Sequence, residues 1–179
     1  MHFRKNIEFI STLLILLVSL SACSWSNSLE QPETRRLPHQ PESVNTSDNL
    51  PRYLSAQERT LLSNVLERQL GAPYRYGGNT PNGFDCSGLV QYSFAQIGIS
   101  LPRATVDQMQ HLTTISRSHL RQGDLAFFQT GNKQYHVGIM LDSQQFIHAP
   151  SSGKTVKIDT LNSSYWRSAF IAAKRYQLN

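Results

Sequence analysis

The chain has 179 residues, 39% of them hydrophobic and 16% charged. Its first fifty or so residues do not look globular, which leaves material for one compact domain of roughly 125 residues and argues against a two-domain enzyme. The formal net charge of +5 is scattered, with no Lys/Arg cluster interleaved with aromatics to mark a nucleic-acid surface, and the two cysteines, Cys23 and Cys86, lack any short-range metal spacing.

The N-terminus carries Arg4 and Lys5, then an apolar run from Phe9 to Leu20, then Leu20-Ser21-Ala22-Cys23. A run of about 12 residues is too short to span a bilayer, and small residues ahead of a cysteine read as the end of a secretory signal peptide over residues 1–22. The segment resembles a bacterial lipobox. That resemblance implies cleavage before Cys23, lipidation of its sulfur and amine, and a mature chain anchored to a membrane by acyl chains. Ser24, rather than an aspartate, follows the cysteine, and by the enteric sorting rule this implies the outer membrane, with the domain facing the periplasm. The alternative is an ordinary exported protein in which Cys23 pairs with Cys86. Residues 23–54 are rich in Ser, Asn, Gln, Glu and Pro, and read as a tether that reaches about 100 Å when stretched and roughly 30 Å as a flexible coil.

The remaining residues, 55–179, read as the folded domain. Ser55 and Glu58 match a capping box, and Leu61, Leu62, Val65, Leu66 and Leu70 recur with helical period, so a first helix is expected over 56–70. A glycine-rich loop from Tyr74 to Pro81 leads to Gly83-Phe84-Asp85-Cys86-Ser87-Gly88, where Leu89, Val90, Phe94 and Ile97 mark the apolar face of a second helix. A short third helix is expected over 104–111. Beyond residue 121 the period changes to two, predicting strands over 125–129, 136–141, 145–149 and 155–158. The stretch from Tyr165 to Tyr176 reads as a last strand. Helices first and antiparallel strands after define an α+β fold, with the N-terminal helices packed on the sheet.

Cys86 opens a helix, where unpaired N–H groups and the positive end of the macrodipole favour thiolate. The competing reading is a small buried hydrophobe, but Gly83 and Gly88 on either side and the polar neighbours Asp85 and Ser87 favour a functional thiol. His136 and His148 lie twelve residues apart on neighbouring predicted strands and suit a base and its orienting partner. A two-residue turn at Ser143-Gln144 would put them on opposite faces. Cooperation therefore requires an odd-length turn or a bulge. The same three residues also form a permissible zinc set, although none shows local metal spacing; the thiol reading needs no metal or other cofactor.

Taken together, Tyr74 to Gly78, Gly83 to Val90, Leu101-Pro102-Arg103, Gly123 to Phe128, His136 to Ile139 and Phe146 to Ala149 resemble the NlpC/p60 cell-wall peptidases over roughly residues 58–176. The lipobox and tether add a likeness to the lipoprotein members of Gram-negative bacteria. The resemblance implies a papain-like α+β fold and hydrolysis of amide bonds in peptidoglycan stem peptides or their cross-links, with D-glutamyl and D-alanyl bonds to diaminopimelate both open. By motif position Cys86 is the nucleophile, His136 the general base and acid, and His148 the residue that orients its imidazole. His136 is expected to hold Cys86 as a thiolate in an ion pair. Tyr74 places a hydroxyl at the site, Asp85 and Ser87 support it, and Arg103 belongs to the support or to the substrate groove. Acyl transfer to an amine and a catalytically silent wall-binding scaffold are the competing functions.

Overall fold

The computed structural model describes residues 51–132 and 134–178. The signal segment, Cys23 and the tether up to residue 50 lie outside the described residues. In chain order the elements are β1 (Arg52–Tyr53), α1 (Ala56–Glu67), β2 (Asn79–Thr80), β3 (Gly83–Phe84), α2 (Cys86–Ala95), α3 (Thr105–His111) and β4 (Thr113–Ile115). A 3-10 turn over Arg117–His119 precedes β5 (Leu125–Gly131), β6 (Gln134–Met140), β7 (Gln145–His148) and β8 (Lys157–Thr160), which are followed by α4 (Ser164–Ala169), β9 (Phe170–Arg175) and β10 (Gln177–Leu178).

The mixed α+β architecture is as expected. Six strands form one antiparallel sheet in the order β4-β9-β5-β6-β7-β8. Alternation along β6 decides what each face buries. Val137 and Ile139 join Leu62, Leu66, Leu89, Val90 and Phe94 of α1 and α2 in one apolar cluster, while Met140 joins Phe128, Phe146 and Trp166 in a second cluster on the opposite face. α1 and α2 therefore cover one face. The other is closed by α4 and by its own aromatic residues.

α1 begins where the capping box predicts. The Ser55 hydroxyl accepts from the Glu58 N–H at 3.2 Å, and the Glu58 carboxylate accepts from the Ser55 N–H at 2.7 Å. Three expectations are displaced. β1 falls inside the segment read as tether, because Arg52 and Tyr53 pair with Leu178 and Gln177 and Leu54 is buried. The strand expected over 155–158 begins at Lys157, because Val156 exchanges backbone hydrogen bonds with Gly71 and Ala72 instead. The stretch expected as one strand from Tyr165 is divided: the Ser163 hydroxyl caps a helical turn by accepting from the Trp166 N–H at 3.2 Å, and extended structure resumes at Phe170.

The β6–β7 hairpin meets the geometric demand for cooperating histidines. Ile139 pairs with Ile147 and Met140 with Phe146, so residues 142–144 form a three-residue turn, and His148 stands opposite Gly138 on the face that carries His136. Gly138 is required there. A Cβ at this position would collide with the Phe146 ring, which crosses the strand at that point. Gly138→Ala should lower the unfolding free energy in urea by about 1–3 kcal/mol through overpacking. An unchanged denaturation midpoint would show that Phe146 moves aside at no cost.

Candidate active site

Cys86 is the first residue of α2. The preceding Asp85 caps the helix, its Oδ1 accepting from the Gly88 N–H at 2.7 Å, while its Oδ2 accepts from the Gly77 N–H at 2.9 Å. Arg103 reaches across from the segment before α3 and donates to both Asp85 oxygens, at 2.6 and 2.9 Å, and to the Ser87 hydroxyl at 2.9 Å. Burial raises the Asp85 carboxyl, but Arg103 and the two N–H donors outweigh it and hold the group below the usual carboxylate range. Gly88 permits this close seat, because a Cβ there would strike the Gly78 carbonyl. Asp85, Ser87 and Arg103 thus form one network that fixes the start of α2, and all three line the cleft beside the thiol.

The Cys86 thiol is free and half-buried, with its sulfur 3.6 Å from the Thr105 hydroxyl. Backbone N–H groups of Val137 and Ser87 also face it and favour thiolate, as does Thr105, yet burial outweighs all three and pushes the thiol above its ordinary value. This differs from the helix-dipole expectation. The helix end supplies its field, but the surrounding apolar packing penalises the anion more strongly.

His136 is 6% exposed and His148 is fully buried. Their rings meet edge to face, with His136 Nε2 2.8 Å from His148 Nδ1. His148 Nε2 in turn lies 2.9 Å from Asp159 Oδ2, an oxygen that also accepts from Trp166 Nε1–H at 3.1 Å and lies 2.8 Å from Lys157 Nζ. A carboxylate only accepts, so His148 must carry its proton on Nε2 and accept at Nδ1 from His136 Nε2–H. One ring nitrogen of His136 then remains, Nδ1, with a lone pair available to the cleft. Asp159 therefore sets both tautomers.

Burial first, and the neighbouring His148 second, lower the His136 pKa to about 3; burial lowers His148 to about 4 although Asp159 pulls the other way. Burial also raises the Asp159 carboxyl, but the Lys157, His148 and Trp166 donors hold it below the usual range. Burial thus acts against the charged form of both Cys86 and His136, the opposite direction to the expected ion pair.

A cleft of about 600 Å³ brings Tyr74, Asp85, Cys86, Ser87, Arg103 and His136 to one surface. Tyr74 is half-buried, and burial together with the nearby Cys86 raises its phenol. His148 sits behind His136, away from the cleft, as an orienting group should. Among the described residues no group of three or more His, Cys, Asp or Glu side chains is arranged to hold a metal ion. Sequence reasoning missed Asp159 and Trp166. Asp159 lies one residue past the expected end of its strand and Trp166 inside the segment expected as the last strand, so neither carried a local signal.

The NlpC/P60 family model matches residues 71–175. The murein DD-endopeptidase MepS/murein LD-carboxypeptidase of Escherichia coli K12 is 38% identical over 165 residues, covering 88% of this chain and 86% of that protein. The murein DD-endopeptidase MepH of the same strain is 41% identical over 119 residues, covering 63% of this chain and 44% of that protein. A solved NLP/P60 family structure, described as similar to lipoprotein, from Staphylococcus aureus Mu50 superimposes with a TM-score of 0.65 at 35% identity; the match covers 74% of this chain and 46% of that one.

Two measurements check the site. Iodoacetamide alkylation of Cys86 in the folded domain should accelerate through neutral pH and still be rising at pH 9, the ordinary thiol value, whereas a plateau reached by about pH 7.5 would reveal a preformed ion pair. Asp159→Asn should lower kcat by roughly tenfold or more with KM nearly held, because it loosens the His148 tautomer without touching the cleft wall beside Cys86. An unchanged kcat would remove Asp159 from the chain of influence.

Proposed function

Because the chain belongs to the NlpC/P60 family, we propose that it is a cysteine-type peptidoglycan endopeptidase whose nucleophile is Cys86, whose general base and acid is His136, and whose orienting residue is His148. The observation that carries this reading is the convergence of the thiol and the single open nitrogen of His136 on one cleft, with that nitrogen's lone pair fixed by His148 and Asp159.

The chemistry starts from a neutral thiol and a neutral imidazole. As the sulfur attacks an amide carbonyl, its proton passes to His136 Nδ1, and the imidazolium formed shares its Nε2 proton with His148. Formation of the imidazolium costs energy in a buried site. Asp159, one ring further back, offsets part of that cost through the hydrogen-bond chain. The Cys86 and Ser87 N–H groups at the start of α2, which have no intrahelical acceptor, would stabilise the forming oxyanion, while the Gly88 N–H is taken by Asp85. His136 then protonates the leaving amine, and water activated by the same ring hydrolyses the thioester. Tyr74 contributes a phenol at the cleft wall, while Asp85, Ser87 and Arg103 hold the helix start.

The substrate in this reading is the stem peptide of peptidoglycan or its cross-link, as the names of the murein endopeptidase relatives suggest. The signal segment, Cys23 and Ser24 support export, lipid anchoring and an outer-membrane site facing the periplasm, from which a tether of some thirty residues lets the domain search the wall.

Digestion of purified peptidoglycan, read by mass spectrometry of the released muropeptides, tests the function. The wild-type protein should release products in the presence of a chelator, Cys86→Ser should release none, and His148→Ala should retain more activity than Cys86→Ala. Absence of cleavage by a folded wild-type domain with a free thiol would favour a wall-binding scaffold instead.

A further inference from the structure

The cleft continues past His136 into a second hollow of about 420 Å³, and the two share Thr130, Gln134, His136, Pro150 and Ser151. The chemistry assigns the two sides. The acyl part of a substrate stays beside Cys86, whereas the leaving amine must take its proton from His136, so the residue that departs with the amine lies on the far side of that ring.

The charges of the two sides differ. Beside Cys86 the Arg103 guanidinium is spent on Asp85. In the far hollow the Asp159 carboxylate is turned to His148, Trp166 and Lys157, and so occupies Lys157 as well. Lys154 lines the same hollow and has no carboxylate partner among the described residues. Its backbone is held at both ends, the N–H donating to the Ser151 carbonyl at 3.1 Å and the carbonyl accepting from the Tyr74 N–H at 2.8 Å. Its ammonium also disfavours a charged His148, which places it within electrostatic reach of the catalytic rings. An exposed cation on an anchored backbone, without a carboxylate partner among the described residues, thus borders the place where the departing residue must lie.

We infer that the hollow centred on Lys154 is the leaving-residue subsite and that it selects a residue bearing a free carboxylate next to the amide that is cut. The carboxylate would lie against the Lys154 ammonium, with Gln134, Thr130 and Ser151 as neutral walls and the exposed Tyr165 at the rim. This subsite rests on the peptidase reading above. It deepens that reading by naming the charge the substrate carries on its amine side.

The test uses two synthetic peptides that contain the bond identified by muropeptide digestion, one with a free carboxylate on the leaving residue and one with a carboxamide there. The wild-type enzyme should favour the carboxylate by roughly fivefold in kcat/KM, the scale of one partly exposed ion pair, and the preference should shrink as salt is raised. Lys154→Gln should bring the ratio close to one, and Lys154→Arg should keep it. Equal kcat/KM for the two peptides, or a preference that survives Lys154→Gln, overturns the subsite alone. Failure of the wild-type enzyme to release any muropeptide, which would leave no bond to build into the peptides, overturns the peptidase reading and takes the subsite with it.

Discussion

The site depends on one carboxylate that stands apart from the thiol. Asp159 is held by Lys157 and Trp166, and through His148 it dictates which nitrogen of His136 carries a proton. A neutral imidazole has two tautomers of similar energy, and only one of those of His136 leaves a base facing the cleft. Removing the carboxylate would leave that choice to chance. The enclosure amplifies the effect: Trp166 stacks on His136 at 5.6 Å and stands edge-on to His148 at 5.0 Å, and Phe128 and Phe146 complete an apolar box around both rings. Hydrogen bonds in such surroundings are strong when satisfied and costly when broken.

The nucleophile rests on a separate support. Asp85, Arg103 and Ser87 hold the start of α2, and Gly78 and Gly88 let the loop backbone lie against the helix. Helix and sheet meet where the Val137 N–H faces the Cys86 sulfur, beside the strand residue that supplies the base. Because the two supports share few groups, damage to one need not unfold the other. Their common feature is burial, which favours the neutral forms of thiol and imidazole. A thiol held toward its neutral form is a weak nucleophile and oxidises slowly.

Much of this was legible in the sequence because it was written in local patterns. The capping box at Ser55 and Glu58, the apolar period of α1 and α2, the alternation of β6 and the glycine-flanked cysteine each carry their signal within a few residues. The requirement for an odd turn between the histidines was also readable, since side-chain period along a strand is a strict constraint. What escaped was set by distant partners. Val156 leaves the expected strand for the loop at Gly71 and Ala72, Arg52 and Tyr53 are ordered by residues 177 and 178, and Asp159 acquires its role only when β8 lies beside β7. The burial that acts against the thiolate escaped for the same reason. The helix terminus is visible in sequence, whereas the apolar walls around it come from elements scattered along the chain.

The position of β9 has a kinetic meaning. It lies between β4 and β5 and so joins the edge strand β4 to β5–β8, which pair in chain order. Until residues 170–175 arrive, β5 is an open edge and β4 has no partner. Pairings of such long sequence separation close slowly because loop entropy must be spent before they form. The hairpin that holds the two imidazoles can assemble early from local contacts, but Trp166, which caps them, sits just ahead of β9 and is delivered with it. A nascent chain therefore holds its histidines long before it holds their enclosure, and hydrolytic competence is deferred to the last segment to fold.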